Sequence, residues 1–231
     1  MVRVTGAAGS AGTPGVTNLA GAGVQAGAGA DLAHAVGRAR EGDGEAFQAR
    51  FTERARVLRQ GDPRDDTTDV GPNITREHLE RVDGFVRRAV AAGAQPVLGG
   101  AVNPELGGLY YQPTLLTGAA PGSEILTEEV FGPVLTLQTF EGEAEAVALA
   151  NGTRYGLAAT MFTGDQERAS RVSARLVAGT VWVNCFFVRD LRAPFGGARR
   201  SGIGREGGTW SFDFYADVKN TVYAPEGWRH G

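Results

Sequence analysis

The stretch LAATMFTGDQERASRVSARLVAGTVWVN, residues 157–184, decides the fold class. Leu157–Thr163 reads as a strand. A helix follows from Asp165 to about Val177, and Gly179 stops it. Thr180–Asn184 is then a mostly apolar strand of the kind buried on both faces. Strands that alternate with helices imply a sheet whose strands run mainly parallel, with the helices laid on its faces.

The same alternation extends in the N-terminal direction. Val130–Phe140 (VFGPVLTLQTF) is rich in β-branched and aromatic residues and predicts a strand after Pro133, with a helix over Glu143–Ala150 behind it. Gln95–Leu98 and Tyr110–Leu116 read as short strands. Thr75 is placed to cap a helix running to Ala92, with Leu79, Val82, Phe85, Val86 and Ala89 on one face and Gly93 at its stop. Phe47, Phe51, Ala55 and Leu58 recur at helical spacing through Ala46–Arg59, and GDP at 61–63 ends that helix. Towards the C-terminus, Val218–Tyr223 reads as one more strand, with an edge open to another chain. The expected fold is α/β: a mainly parallel open sheet with helices on both faces.

Composition narrows the class. Of 231 residues, 42% are hydrophobic and 21% charged, as in a globular protein. The net charge of −3 gives no basic footprint for nucleic acid. No apolar run reaches the roughly 18–20 residues of a membrane helix, and no basic-then-apolar leader opens the chain, so a cytoplasmic location is expected. One cysteine, Cys185, excludes an internal disulfide, and three scattered histidines offer no zinc cluster, so no metal is expected. The 35 glycines are roughly twice the usual share, and they are densest before residue 45, where 11 of them fall. Residues 1–45 are therefore expected to be a loose Gly/Ala-rich segment, and 46–231 the folded part.

Several motifs could carry chemistry. VRVTGAAGSAG at 2–12 has a strand followed by glycines that let backbone amides approach a pyrophosphate, which would make Gly6–Gly12 a nucleotide loop of a reductase-like binder. Against this, Pro14 and further glycines follow where a helix should open. Gly21, Gly23 and Ala26 fit the relaxed fingerprint only because their surroundings are Gly/Ala-rich, and GIGREG at 202–207 reads as a structural loop. Cys185 ends a strand close in sequence to Arg189 and Arg192, and is either a thiolate nucleophile or a small buried hydrophobe. Glu128 and Glu129 are either an acid/base pair or a solvated one. Arg189 and Arg192 follow a strand's carboxyl end, where guanidinium forks would clamp a carboxylate, or would pair with Asp190. His34, His78 and His230 have no metal spacing, and Ser201 and Ser211 have no hydrolase context.

Together, DVGPNIT (69–75), YYQPTLLTG (110–118), EEVFGPVL (128–135), ANGTRYGLAATMFT (150–163), AGTVWVNC (178–185), PFGGARRSGIGREGG (194–208) and YADVKNT (215–221) resemble the NAD(P)-dependent aldehyde dehydrogenases. The resemblance runs from about Phe47 to Tyr223. FVRDLRAPFGG and WSFDFYADVKN resemble the branch that oxidises hydroxymuconate-type semialdehydes from aromatic-ring cleavage, 5-carboxymethyl-2-hydroxymuconate semialdehyde among them. It implies oxidation of a carboxylate-bearing semialdehyde to the acid with NAD, or with NADP, by a homo-oligomer. Glu129 would bind the nicotinamide ribose hydroxyls and Phe131 would pack near the nicotinamide ring. Arg189 and Arg192 would meet substrate carboxylates, with Phe195 as an aromatic wall.

The family's nucleophilic cysteine lies upstream of the helix resembling Phe47–Leu58, and its general-base glutamate further upstream in an ELGGK-like turn. Cys185 matches a different family position, and no ELGGK-like turn precedes Phe47. No catalytic residue is therefore assigned. Residues 1–45, where VTGAAGSAG and GADLAHAV faintly resemble family segments, are expected to be a degenerate remnant of the cofactor half. The chain is expected to be truncated and inactive alone, with a role as a binding or assembly fragment on a full-length dehydrogenase as the alternative.

Overall fold

The computed structural model describes residues 2–7, 16–19 and 44–229. A seven-stranded open sheet organises them in the order β3-β4-β5-β1-β2-β7-β8. Its strands are β1 (Val2–Ala7), β2 (Val16–Leu19), β3 (Gln95–Leu98), β4 (Thr114–Thr117), β5 (Val134–Phe140), β7 (Ala158–Met161) and β8 (Thr180–Val183). A small ladder joins β6 (Tyr155–Gly156) to β9 (Ala198–Arg199). The helices are α1 (Gly44–Arg56), α2 (Arg76–Ala91), α3 (Glu124–Thr127), α4 (Glu143–Asn151), α5 (Gln166–Ser173) and α6 (Trp210–Tyr215).

The β7–α5–β8 unit of the deciding stretch is parallel, with Ala158 opposite Thr180 and Met161 opposite Val183. β4, β5 and β1 also run parallel. The antiparallel ladders lie at the β3 edge and on either side of β2. Thus two strands of the Gly/Ala-rich segment belong to the sheet, between β5 and β7.

Adjacent residues of a strand point to opposite faces, and the core divides accordingly. Leu116 and Val134 join Leu79, Val82, Phe85 and Val86 of α2 on one face. Their neighbours Leu115, Leu135 and Leu137 pack with Phe47, Phe51 and Ala55 of α1 on the other. Phe140, Ala159 and Met161 meet Val147 of α4 and Val172 of α5 in a third cluster.

Element boundaries differ from the expected ones where local chemistry outweighs pattern. The strand expected over Tyr110–Leu116 begins only at Thr114. Pro113 has no N–H for a ladder, and Tyr110–Gln112 instead bond to the Ala101–Asn103 loop. The helix expected to reach Val177 ends at Ser173 and continues as a turn that tucks Leu176 into the core. The first helix spans Gly44–Arg56 rather than Ala46–Arg59. The strand expected over Val218–Tyr223 does not form: those residues are exposed and join no ladder among the described strands.

Tyr111 is 1% exposed, with its hydroxyl 3.5 Å from Asp83 Oδ1. Burial first, then the Asp83 charge, push its phenol above the ordinary 10.0. The protonated form is therefore favoured in the folded state. Its contribution to stability is complete below about pH 10 and is lost as pH rises toward the folded-state value. Urea midpoints at pH 8 and pH 11 should fall less in Tyr111→Phe than in the parent. Equal falls would refute the assignment.

Candidate active site

Glu129, Val130, Phe131 and Gly132 form the turn between α3 and β5. Phe131 has φ 59°, a left-handed conformation that a bulky residue adopts only when its surroundings hold it there. Phe131 is 57% exposed, while Val130 is buried in the α2 cluster. Glu129 is half-buried. Glu128 is engaged elsewhere, in an ion pair with Arg154 that holds the Arg154 guanidinium above its ordinary range. The acid/base pairing of Glu128 with Glu129 is thereby not what the geometry builds.

The segment after β8 carries the second group. Asn184 (φ 54°) and Phe187 (φ 57°) are also left-handed, so three of the four described non-glycine residues with positive φ lie on these two loops. Trp182 Nε1 donates to the Val188 carbonyl at 2.8 Å, and the Trp182, Phe186 and Phe187 rings cluster within 6.1 Å of one another. Cys185 is half-buried in this segment, neither enclosed nor open.

Arg189 lies with its guanidinium carbon 4.1 Å from the Phe195 ring centroid and 3.5 Å from Glu206 by its nearest ion-pair contact. Glu206 is invisible as a site residue in the sequence, because its register opposite Phe195 arises only from a bridge across the glycine loop. That loop is structural: a Cβ on Gly207 would stand 2.3 Å from the Ala193 carbonyl oxygen, and one on Gly204 2.1 Å from the Phe214 ring. Arg192 places its fork on both oxygens of Asp190, at 3.0 and 2.7 Å. That contact and the Arg192 backbone N–H hold the Asp190 carboxyl below its usual range.

The structure thus brings Arg189, Phe195 and Glu206 together, pairs Arg192 locally, and sets Glu129 and Phe131 on the turn against α2. Of the Gly6–Gly12 loop, Gly6 sits in the β1 ladder opposite Thr139, while Gly9 and Gly12 lie outside the described residues, as do Gly21, Gly23, Ala26, His34 and His230. Among the described residues, no cluster of His, Cys, Asp or Glu could hold a metal ion, and no helix is long and apolar enough to cross a membrane.

The sequence model of the aldehyde dehydrogenase family matches residues 39–221. The chain belongs to the aldehyde dehydrogenase family. It is 48% identical over 179 residues to the 2-hydroxymuconic semialdehyde dehydrogenase of Pseudomonas sp. (strain CF600), covering 75% of this chain and 37% of that one. It is 43% identical over 182 residues to the 2-aminomuconic semialdehyde dehydrogenase of Danio rerio, covering 76% and 37%. Among solved structures, HpcC from Thermus thermophilus superposes with a TM-score of 0.70 at 42% identity, over 79% of this chain and 38% of that one. Betaine aldehyde dehydrogenase from Staphylococcus aureus in complex with NAD+ gives 0.69 at 38% identity, over 73% and 34%. The chain spans little more than a third of the length of these relatives.

Proposed function

We propose that this chain carries the nicotinamide-facing turn and the substrate loop of an NAD-dependent dehydrogenase that oxidises a carboxylate-bearing semialdehyde from aromatic catabolism. The observation that supports it most is the Glu129–Phe131 turn. A half-buried carboxylate beside an exposed aromatic ring, on a turn strained at Phe131, suits a ribose diol and a flat heteroaromatic ring. Glu129 would accept from the ribose hydroxyls and Phe131 would offer its ring face to the nicotinamide. The bound cofactor supplies the hydride acceptor; NADP is the alternative cofactor.

Arg189, with Phe195 beneath it, presents a cation over an apolar wall, which suits an anionic, conjugated substrate. Arg192 would reach a substrate carboxylate by exchanging it for Asp190. The similarity to semialdehyde dehydrogenases favours this substrate class. By residue inventory the 231-residue chain is inactive alone, and a cytoplasmic homo-oligomer is the setting the reading implies.

NAD binding to the purified chain, followed by calorimetry, tests the cofactor part. Phe131→Ala and Glu129→Ala should each weaken it about tenfold, the loss of one good contact of roughly 1.4 kcal/mol. Binding equal to the parent in both variants would refute the assignment.

One observation favours a second role. Val218, Val222 and Tyr223 are 91, 80 and 85% exposed on unpaired backbone, a template for another chain's sheet edge. Co-purification with a full-length dehydrogenase would support an assembly role, and a clean monomer would count against it.

A further inference from the structure

Three consecutive carbonyls of the Glu129–Phe131 turn are held by two side chains of α2. Arg81 donates from Nη2 to the Glu129 oxygen and from Nη1 to the Val130 oxygen, each at 2.7 Å. His78 Nε2 lies 2.5 Å from the Phe131 oxygen, with its ring centroid 5.7 Å from that of Phe131. Three residues apart, His78 and Arg81 lie on one face of the helix.

The supports of the clamp are rigid. Thr75 caps α2 by accepting from the His78 amide at 3.2 Å, which fixes the turn bearing the imidazole. The Arg81 guanidinium lies 5.0 Å from the Phe85 ring centroid, so its planar fork is steadied before it meets the carbonyls. Val82, on the next position, packs so close that a Cβ on Gly132 would stand 2.7 Å from its methyl. Beyond the turn, the Pro133 carbonyl accepts from the Thr114 amide at 2.8 Å, tying the far side to β4.

We propose that His78 and Arg81 are positioning residues: together they hold Phe131 in its left-handed conformation and so present Glu129 and Phe131 to the cofactor. The physical reason is the φ of 59°. A bulky residue does not stay there unaided, and without the clamp the turn would relax toward ordinary backbone. All three contacts are to carbonyl oxygens, so the clamp acts on the backbone and sets the directions in which the side chains leave it. For the imidazole, the contact requires a proton on Nε2, which donates to the carbonyl. The inference rests on the proposed cofactor reading for what the turn binds, but the clamp itself has its own readout.

The experiment is hydrogen–deuterium exchange on the full chain, with NAD affinity measured in parallel, for the double variant His78→Phe/Arg81→Met. Both replacements keep apolar bulk and remove the donors. Amides of 129–132 and 134 should exchange at least tenfold faster while those of β7 and β8 keep parental rates. NAD affinity should fall about tenfold, because only the fraction of chains with the turn formed can bind. Arg81→Lys, with one ammonium in place of the fork, should fall between parent and double variant.

Unchanged exchange over 129–134 in the double variant would overturn the clamp. So would parental NAD affinity in a variant whose turn had loosened, since positioning would then be irrelevant to the ligand. If the parent itself binds no NAD, the cofactor reading fails, and the exchange data alone uphold or overturn the clamp. Loss of protection across all strands would mean that His78 and Arg81 serve the whole fold, which also overturns it.

Discussion

The purified 231-residue chain, offered NAD and a hydroxymuconate semialdehyde, should reduce NAD at a rate roughly 10⁴-fold or more below that of a full-length family member. The chemistry implied by the family begins with a cysteine thiolate that attacks the aldehyde carbon, followed by hydride transfer and hydrolysis assisted by a glutamate. The chain's single cysteine is Cys185. It follows the β8 residues Thr180–Val183 and the left-handed Asn184, and it is half-buried. On the proposed reading, its position is not that of the family's nucleophile. Removing a covalent nucleophile together with its base costs far more than removing any binding group, because both steps of the reaction lose their reacting atom. Cys185→Ala should therefore leave the residual rate unchanged. Turnover that disappears in Cys185→Ala would assign the nucleophile to Cys185 and overturn the expectation.

Gly179→Ala should destabilise the fold by about 3 kcal/mol or more, read as a lowered urea midpoint. A Cβ at this position would stand 1.6 Å from the Gly196 carbonyl oxygen and 2.8 Å from its carbon, both backbone atoms that no rotamer change can move aside. Gly179 also donates its amide to the Gly156 carbonyl at 3.0 Å, so it cannot retreat without breaking that bond. The crowding has a purpose in the site. The Pro194–Gly197 segment, which carries Phe195, crosses the chain just before β8, and only a glycine at 179 lets the backbones pass so closely. The variant should therefore also lose the Arg189–Phe195 stack. Gly164→Ala, where nothing lies within 4 Å of the added methyl, is the matched control and should change stability by less than about 0.5 kcal/mol. Equal midpoints for the two variants would refute the crossing.

The candidate site is legible in the sequence residue by residue but not as an arrangement. Glu129, Phe131, Arg189, Arg192 and Phe195 all stand within recognisable motifs. Their partners do not. His78 reads as one more residue of an amphipathic helix, and Arg81 carries no signal at all, because a bond to a backbone carbonyl some fifty positions away leaves no local pattern. Glu206 is hidden for the same reason. The two readings left open for Arg192 differ only in where its fork points, and the fork points to Asp190.

By itself the sequence determined the α/β class, the parallel β7–α5–β8 unit, the capped α2 with its five buried residues, and membership of the aldehyde dehydrogenase family. These follow from periodicity, capping and motif spacing, which act over a few residues at a time. Tertiary structure alone decided that β2 runs antiparallel within the sheet, that Val218–Tyr223 finds no strand to pair with, and that α2 grips the Glu129–Phe131 turn. Each depends on which distant backbone groups come within hydrogen-bond reach. That is settled only once the core has closed and every buried N–H and C=O must find a partner.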